Sequence, residues 1–220
     1  MTGGVRDLAV HLLGRVDYGG SLDLQERLLQ ARISDDISDS LLLLEHEPVI
    51  TMGFSAKQEH LLQTNSALRD RGIEVIKVSR GGDVTYHGPG QLVAYAIVDL
   101  KPNQRDVKRY VWNLEEVLLR VTTVFGLSAR RIENLHGIWI EDRKIGAVGV
   151  RIKRWVTMHG FSLNVSTDLS AYDLIVPCGI EDKQVTSLQR ELQQNIKMDT
   201  AFHLTAEKFA EVFGRRIVWM

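Results

Sequence analysis

Gly137-Ile138-Trp139-Ile140-Glu141-Asp142-Arg143-Lys144-Ile145-Gly146-Ala147-Val148-Gly149-Val150-Arg151-Ile152 is the stretch whose reading decides the fold. Two runs rich in β-branched residues, 137–141 and 144–152, flank Asp142-Arg143 and spell a hairpin. A third run from Trp155 to Val165 follows directly, so this part of the chain has an antiparallel character. Working outward, helical and extended patterns mix without strict alternation. Ser21 to Ile33 reads as an amphipathic helix with Ser21 as N-cap, and Asp106 caps a second helix running to Phe125 and closed by Gly126. Tyr110 and Trp112 on that helix read as packing residues. Asn65 to Arg71, ended by Gly72, reads as a short helix, and Thr205 to Phe213 as the C-terminal one. Ser40 to His46 is a continuous apolar run expected of a strand buried on both faces. Val49 to Met52, Ile73 to Val78, Leu92 to Leu100 and Ile217 to Trp219 are further expected strands. The fold class is therefore α/β (α+β): a sandwich on a mixed sheet flanked by helices, with a smaller second sheet, residues 1–220 forming a single domain.

Charged residues make up 25% of the 220, the apolar set 44%, and the formal net charge is -1. Charge of this kind implies neither nucleic acid nor a membrane surface as partner. No apolar stretch approaches the roughly 20 residues needed to span a bilayer. No basic, then apolar, leader opens the chain, and one cysteine permits no internal disulfide; a reducing compartment, by default the cytoplasm, is expected. Seven histidines are scattered without metal-ligand spacing, so no metal is expected.

The single cysteine sits in Ile175-Val176-Pro177-Cys178-Gly179-Ile180, between a residue that fixes φ and one that frees it. A lone cysteine is more often a small buried apolar group. Its proline and glycine neighbours favour a presented nucleophile, and only a few per cent of an unperturbed thiol is ionised at pH 7, so a base is needed. Lys144, among small and apolar neighbours, reads as a desolvated amine suited to that task. A second concentration of chemistry is Ser79-Arg80-Gly81-Gly82-Asp83-Val84-Thr85-Tyr86-His87-Gly88-Pro89-Gly90-Gln91, expected to be a loop. Its glycines fit neither the Walker nor the Rossmann spacing. Its density of hydrogen-bonding side chains exceeds what a turn requires.

Four blocks in order, Arg80 to Gln91, Lys144 to Arg151, His159-Gly160-Phe161-Ser162-Leu163-Asn164-Val165 and Pro177-Cys178-Gly179, resemble the lipoyl(octanoyl) transferase family. The resemblance covers most of residues 40 to 190. It implies a fold like that of biotin and lipoate protein ligases. It also implies an acyltransferase that moves octanoyl from acyl carrier protein to a lysine of lipoyl domains, those of 2-oxoacid dehydrogenase E2 subunits and the glycine-cleavage H protein. No cofactor is implied, and a monomer is expected. Carried over by position, Cys178 is the acyl-thioester nucleophile and Lys144 the acid/base. Substrate-binding stretches fall on Arg80, Gly81, Gly82, Asp83, Val84, Thr85, Tyr86 and His87, on Ala147, Val148 and Gly149, and on Gly160, Phe161 and Ser162. His87 and His159 are expected to line or orient rather than to transfer protons. Backbone N–H groups of the Cys178-Gly179 turn are candidates for holding an oxyanion. Val93, Val148, Val150 and Leu163 are candidates for an acyl tunnel, and Arg151, Lys153 and Arg154 for meeting an acidic carrier. The chain departs from the family pattern at Phe54-Ser55 and at Asn134-Leu135-His136. An ATP-dependent lipoate or biotin ligase, or a non-catalytic carrier-binding module, are the rival readings.

Overall fold

The computed structural model describes residues 5–101, 105–176 and 184–220. Its elements in order are β1 (Arg6–Val16), α1 (Tyr18–Ile33), β2 (Asp39–His46), β3 (Val49–Met52), α2 (Asn65–Asp70), β4 (Glu74–Lys77), β5 (Val84–His87) and β6 (Gln91–Ile97). They continue with α3 (Val107–Val124), β7 (Arg130–Ile132), β8 (Leu135–Ile140), β9 (Arg143–Lys153), β10 (Val156–Asn164), β11 (Gln184–Val185), α4 (Leu188–Leu192), α5 (Met198–Phe213) and β12 (Arg215–Trp219). Among the described residues the large sheet runs β12-β1-β2-β6-β10-β9-β8-β7, with β11 alongside β9, and the small sheet runs β4-β3-β5. Both are mixed. β1 pairs parallel with β2 and β12, while β2, β6, β10, β9 and β8 pair antiparallel in succession. In the small sheet β3 is parallel to β4 and antiparallel to β5. The expected mixed sheet with a smaller second sheet is what forms.

The apolar run in β2 is continuous because both faces are covered. Leu41 and Leu43 enter the core beneath α3 and α5, with Leu114, Leu118, Phe202 and Phe209. Leu42 and Leu44 turn to the opposite core, with Tyr18 and Leu29 of α1 and with Val93 and Tyr95. A third core joins Ile50, Met52 and Tyr86 of the small sheet to Tyr172, Leu174 and Ile175. That last cluster carries the chain up to the segment holding the cysteine.

Several elements differ from expectation. Strand β1 is unforeseen, its alternation blurred by a register shift between Leu12 and Gly14. Helix α1 starts three residues early, because Asp17 rather than Ser21 is the N-cap and its Oδ1 accepts from Gly20 N–H at 2.7 Å. Two glycines in the first turn hide that start. The expected loop 79–91 contains β5, which pairs with β3 and sends Val84 and Tyr86 into the third core. Helix α5 begins at Met198, seven residues before the expected start. Trp112 is half exposed and lies under Arg131, with the guanidinium carbon 4.2 Å from the ring centroid, so only Tyr110 is a packing residue.

A buried carboxylate ties the sheet ends to α1. Asp39 accepts from Arg32 Nε at 3.0 Å, from Arg215 Nε at 2.9 Å and from the backbone N–H of Asp99 at 3.0 Å. Removing it would leave two buried guanidinium groups without their main counter-charge. The expected result for Asp39→Ala is a loss of about 3–5 kcal/mol of stability in urea unfolding, whereas a loss under about 1 kcal/mol would show that the arginines find other partners.

Candidate active site

A cleft enclosing about 520 Å³ of open space lies between the large sheet, α1 and the glycine-rich segment. Its lining includes Arg80, Gly82, Asp83, Val84, Thr85 and His87 from that segment, Ala147, Val148 and Gly149 from β9, and His159, Gly160, Phe161 and Ser162 from β10. The sequence-predicted stretches, separated by up to 80 positions, thus converge on one space. Two of the predicted residues do not line it. Gly81 turns its N–H to the Val150 carbonyl at 2.9 Å. Tyr86, one position out of phase on β5, points into the third core against Tyr172. Of the tunnel candidates, Val93 and Val148 line the cleft, while Leu163 and Val150 pack with the core under α3. Sequence reasoning missed Tyr18 and Tyr95, which complete the lining. Tyr95 lay inside an expected buried strand, and nothing local marks which face of such a strand meets a cleft.

Each wall has an identifiable local cause. Arg80 is a buried strut: its NH2 donates to Thr51 O and to Thr51 Oγ1, each at 2.8 Å, and its NH1 to Gly81 O at 3.0 Å. The glycine segment is thereby pinned to β3. Gly53 allows the close approach this requires, since a Cβ there would stand 2.3 Å from Gly82 O. On β10, His159 adopts a left-handed φ of 57°, and its N–H leaves the sheet to meet Gln25 Oε1 at 2.9 Å. The Ala96 carbonyl on β6 is taken up instead by Thr157 Oγ1 at 2.7 Å. This local break carries the His159 ring to the cleft, 6.1 Å from that of Tyr95.

The histidines lining the cleft, His87 and His159, and His46 behind them are neutral groups. His46 holds Val16 O at 3.0 Å through Nδ1, so Nε2 is its acceptor and receives the Tyr95 hydroxyl at 2.7 Å. Burial pushes its imidazole down to about 4. His87 is lowered to about 3 by burial and then by His46, and His159 to about 3 by burial, then by Arg80 and Arg151. His87 Nδ1 meets Gln91 Oε1 at 2.6 Å, and Gln91 Nε2 donates onward to Asn164 Oδ1 at 2.9 Å. Asn164 Nδ2 reaches Thr186 O at 2.9 Å, and Thr186 N–H reaches Lys144 O at 2.9 Å. A buried hydrogen-bonded chain therefore runs from the cleft histidine to the backbone of the predicted catalytic lysine.

Lys144 itself lies on a small adjoining cavity lined also by Thr85, Ala147, Ser162, Asn164, Tyr172 and Val185. Thr85, Ala147 and Ser162 belong to both spaces. Cys178 and the Cys178-Gly179 turn lie outside the described residues. The flanking chain is described: Val176 N–H bonds to His60 O at 2.9 Å, and Gln184-Val185 pair in parallel with Arg143-Lys144. The basic group at Arg151, Lys153 and Arg154 sits at the far end of β9, roughly 30 Å from Lys144 at about 3.3 Å per residue. Arg151 is already held by Glu26 at 2.6 Å. Among the described residues no three His, Cys, Asp or Glu side chains converge so as to hold a metal ion. No helix among them is long and apolar enough to cross a membrane.

The neutral imidazoles make stability depend on pH. An unfolded histidine titrates near 6.5, so between there and the folded values of about 4 for His46 and about 3 for His87 and His159 the unfolded chain binds more protons. Stability is therefore complete above about pH 6.5 and falls as the pH drops, by up to about 1.4 kcal/mol per pH unit for each ring. Urea unfolding at pH 7, 6 and 5 is expected to show this decline, with His46→Gln shallower by about one proton; an unchanged slope in that variant would mean His46 is not one of the carriers.

Comparison with known proteins agrees with this geometry. Residues 17–210 match the model of the lipoyl protein ligase A/B catalytic domain. An octanoyltransferase of Acidobacterium capsulatum is 44% identical over 223 residues, covering 94% of this chain and 91% of that protein. One from Caldicellulosiruptor saccharolyticus is 44% identical over 211 residues, with 95% and 90% covered. Among solved structures, lipoate-protein ligase A bound with ATP has a TM-score of 0.77 at 16% identity, over 97% of this chain and 89% of that one, a likeness of fold. With the family model spanning both sheets and the cleft, and near-full-length relatives well above 30% identity, this chain belongs to the octanoyltransferase family of lipoyl protein ligase A/B catalytic domains.

Proposed function

We propose that this chain is a single catalytic unit that transfers octanoyl from acyl carrier protein to the acceptor lysine of lipoyl domains, through a thioester on Cys178. The observation that carries the reading is the pairing of Gln184-Val185 with Arg143-Lys144. It brings the chain that leaves the cysteine segment alongside Lys144, at a small cavity sharing a wall with the cleft. Lys144 Nζ takes the Cys178 thiol proton, and the thiolate attacks the octanoyl thioester carbonyl. The tetrahedral adduct expels the carrier thiolate, which receives that proton. In the second half the acceptor amine attacks the acyl-cysteine, the cysteine thiolate leaves, and the proton lost by the amine passes through Lys144. A base is needed there, because less than about 0.1% of a lysine with a reference pKa of about 10.4 is neutral at pH 7.

Thioester exchange followed by amide formation runs downhill without ATP, which separates this reading from a ligase of the same fold. The neutral imidazoles suit a lining role: behind the cleft His46 is satisfied through both ring nitrogens, and His87 is held at Nδ1 by Gln91. Burying about six methylenes contributes roughly 5 kcal/mol at about 0.8 each. Lipoyl domains of 2-oxoacid dehydrogenase E2 subunits and the glycine-cleavage H protein are the acceptors in this reading, and a cytoplasmic monomer its setting.

Intact mass of the protein after incubation with octanoyl-carrier protein, without ATP, tests it. A hydroxylamine-sensitive octanoyl adduct is expected, absent in Cys178→Ala. Lys144→Ala is expected to slow transfer by about 10²-fold or more. Transfer at full rate by Cys178→Ala would sink the covalent route, and a lipoyl domain modified only when ATP is present would favour the ligase.

A further inference from the structure

Trp139 and Lys144 are register partners across β8 and β9, next to the irregularity between Ile138 and Trp139. The lysine Nζ stands 4.8 Å from the centroid of the indole. Trp139 is only 1% exposed, yet its Nε1–H finds no acceptor among the described residues. A buried donor without a partner costs stability that phenylalanine or leucine at the same position would not lose. Hydrogen bonding therefore does not explain an indole here. What indole offers above those side chains is its π face, the strongest aromatic surface for an ammonium and more effective away from water. Lys144 meets that condition at 9% exposed.

The lysine stem is long and rotatable, so a base built on it needs its head group held. Its backbone is fixed by the pairing with Val185 and by the Thr186 N–H. The indole constrains the other end. We infer that Trp139 is a positioning residue for acyl transfer, its ring holding the Lys144 amine at the cavity and cushioning the positive charge that forms when the lysine takes up a proton. This rests on the reading of Lys144 as the acid/base.

The test is steady-state transfer of octanoyl from octanoyl-carrier protein to a lipoyl domain by Trp139→Phe, Trp139→Leu and Lys144→Ala, alongside thermal unfolding. The expected order of kcat is wild type, Phe, Leu, with Leu at least 10-fold down and KM for both protein substrates within about 2-fold. Trp139→Phe is expected to hold Tm within a few degrees, since losing the unpaired donor offsets part of the cost of the smaller ring, while losing several-fold in kcat. A drop in kcat with Tm and KM nearly unchanged is the signature that a packing role would not produce. Wild-type kcat in Trp139→Phe with an inactive Lys144→Ala would overturn the inference and leave the lysine's role standing, even if Trp139→Leu failed to fold. Full activity in Lys144→Ala would instead overturn the acid/base reading, and the positioning role with it.

Discussion

The double pairing of β10 is the constraint on which the rest of the structure depends. This strand is buried along its whole length, with β6 on one side and β9 on the other. Gly160 sits opposite Gly149 and Tyr95, and a Cβ on it would stand 2.2 Å from Ala94 O. The three strands can close to this spacing only around glycine. Their closure makes one wall out of Val93 and Tyr95, Ala147 to Gly149 and Gly160 to Ser162. The same ladder carries β9 to Lys144 at one end and to the basic group Arg151, Lys153 and Arg154 at the other.

The opposite wall is held by polar interactions rather than by a ladder. Arg80 spends its donors on oxygens of Thr51 and Gly81, which makes the glycine segment an extension of the small sheet. His60 Nδ1 lies 2.7 Å from Asp83 Oδ2, while the His60 carbonyl receives Val176 N–H. One short 3-10 turn thus touches both the glycine segment and the approach to the cysteine. The chain from His87 through Gln91, Asn164 and Thr186 to the Lys144 carbonyl joins the two walls. Each link is hydrogen-bonded to the next, so the chain favours one arrangement of the core.

Much of this was legible locally because the signals are local. Asp106 caps α3 as its spacing predicts, β2 appears where the leucine run placed it, and the β8–β9 hairpin appears around Asp142-Arg143. The departures have physical reasons. Gly19 and Gly20 weaken the helical signal where α1 begins, and Asp17 starts the helix anyway by capping it. The period-2 alternation of Val84 to His87 is too short to stand out among glycines, and only pairing with β3 makes it a strand. Trp112 carries an aromatic signal shared with core residues, yet it is satisfied at the surface by Arg131.

By itself the sequence determined which residue types carry the chemistry: one cysteine between proline and glycine, a lysine among small apolar residues, and a glycine-rich run dense in donors and acceptors. It determined the secondary elements wherever periodicity or a cap is strong. Only the tertiary structure decided that Gly81 and Tyr86 turn away from the cleft while Tyr18 and Tyr95 turn into it, because that choice follows from strand phase and from which core covers each face. Only it decided that His159 faces the cleft, through a left-handed residue whose N–H is taken by Gln25 from a distant helix. And only it brought Val185 beside Lys144 and an indole face beneath the amine, since pairing between strands depends on register, which no single stretch of chain contains.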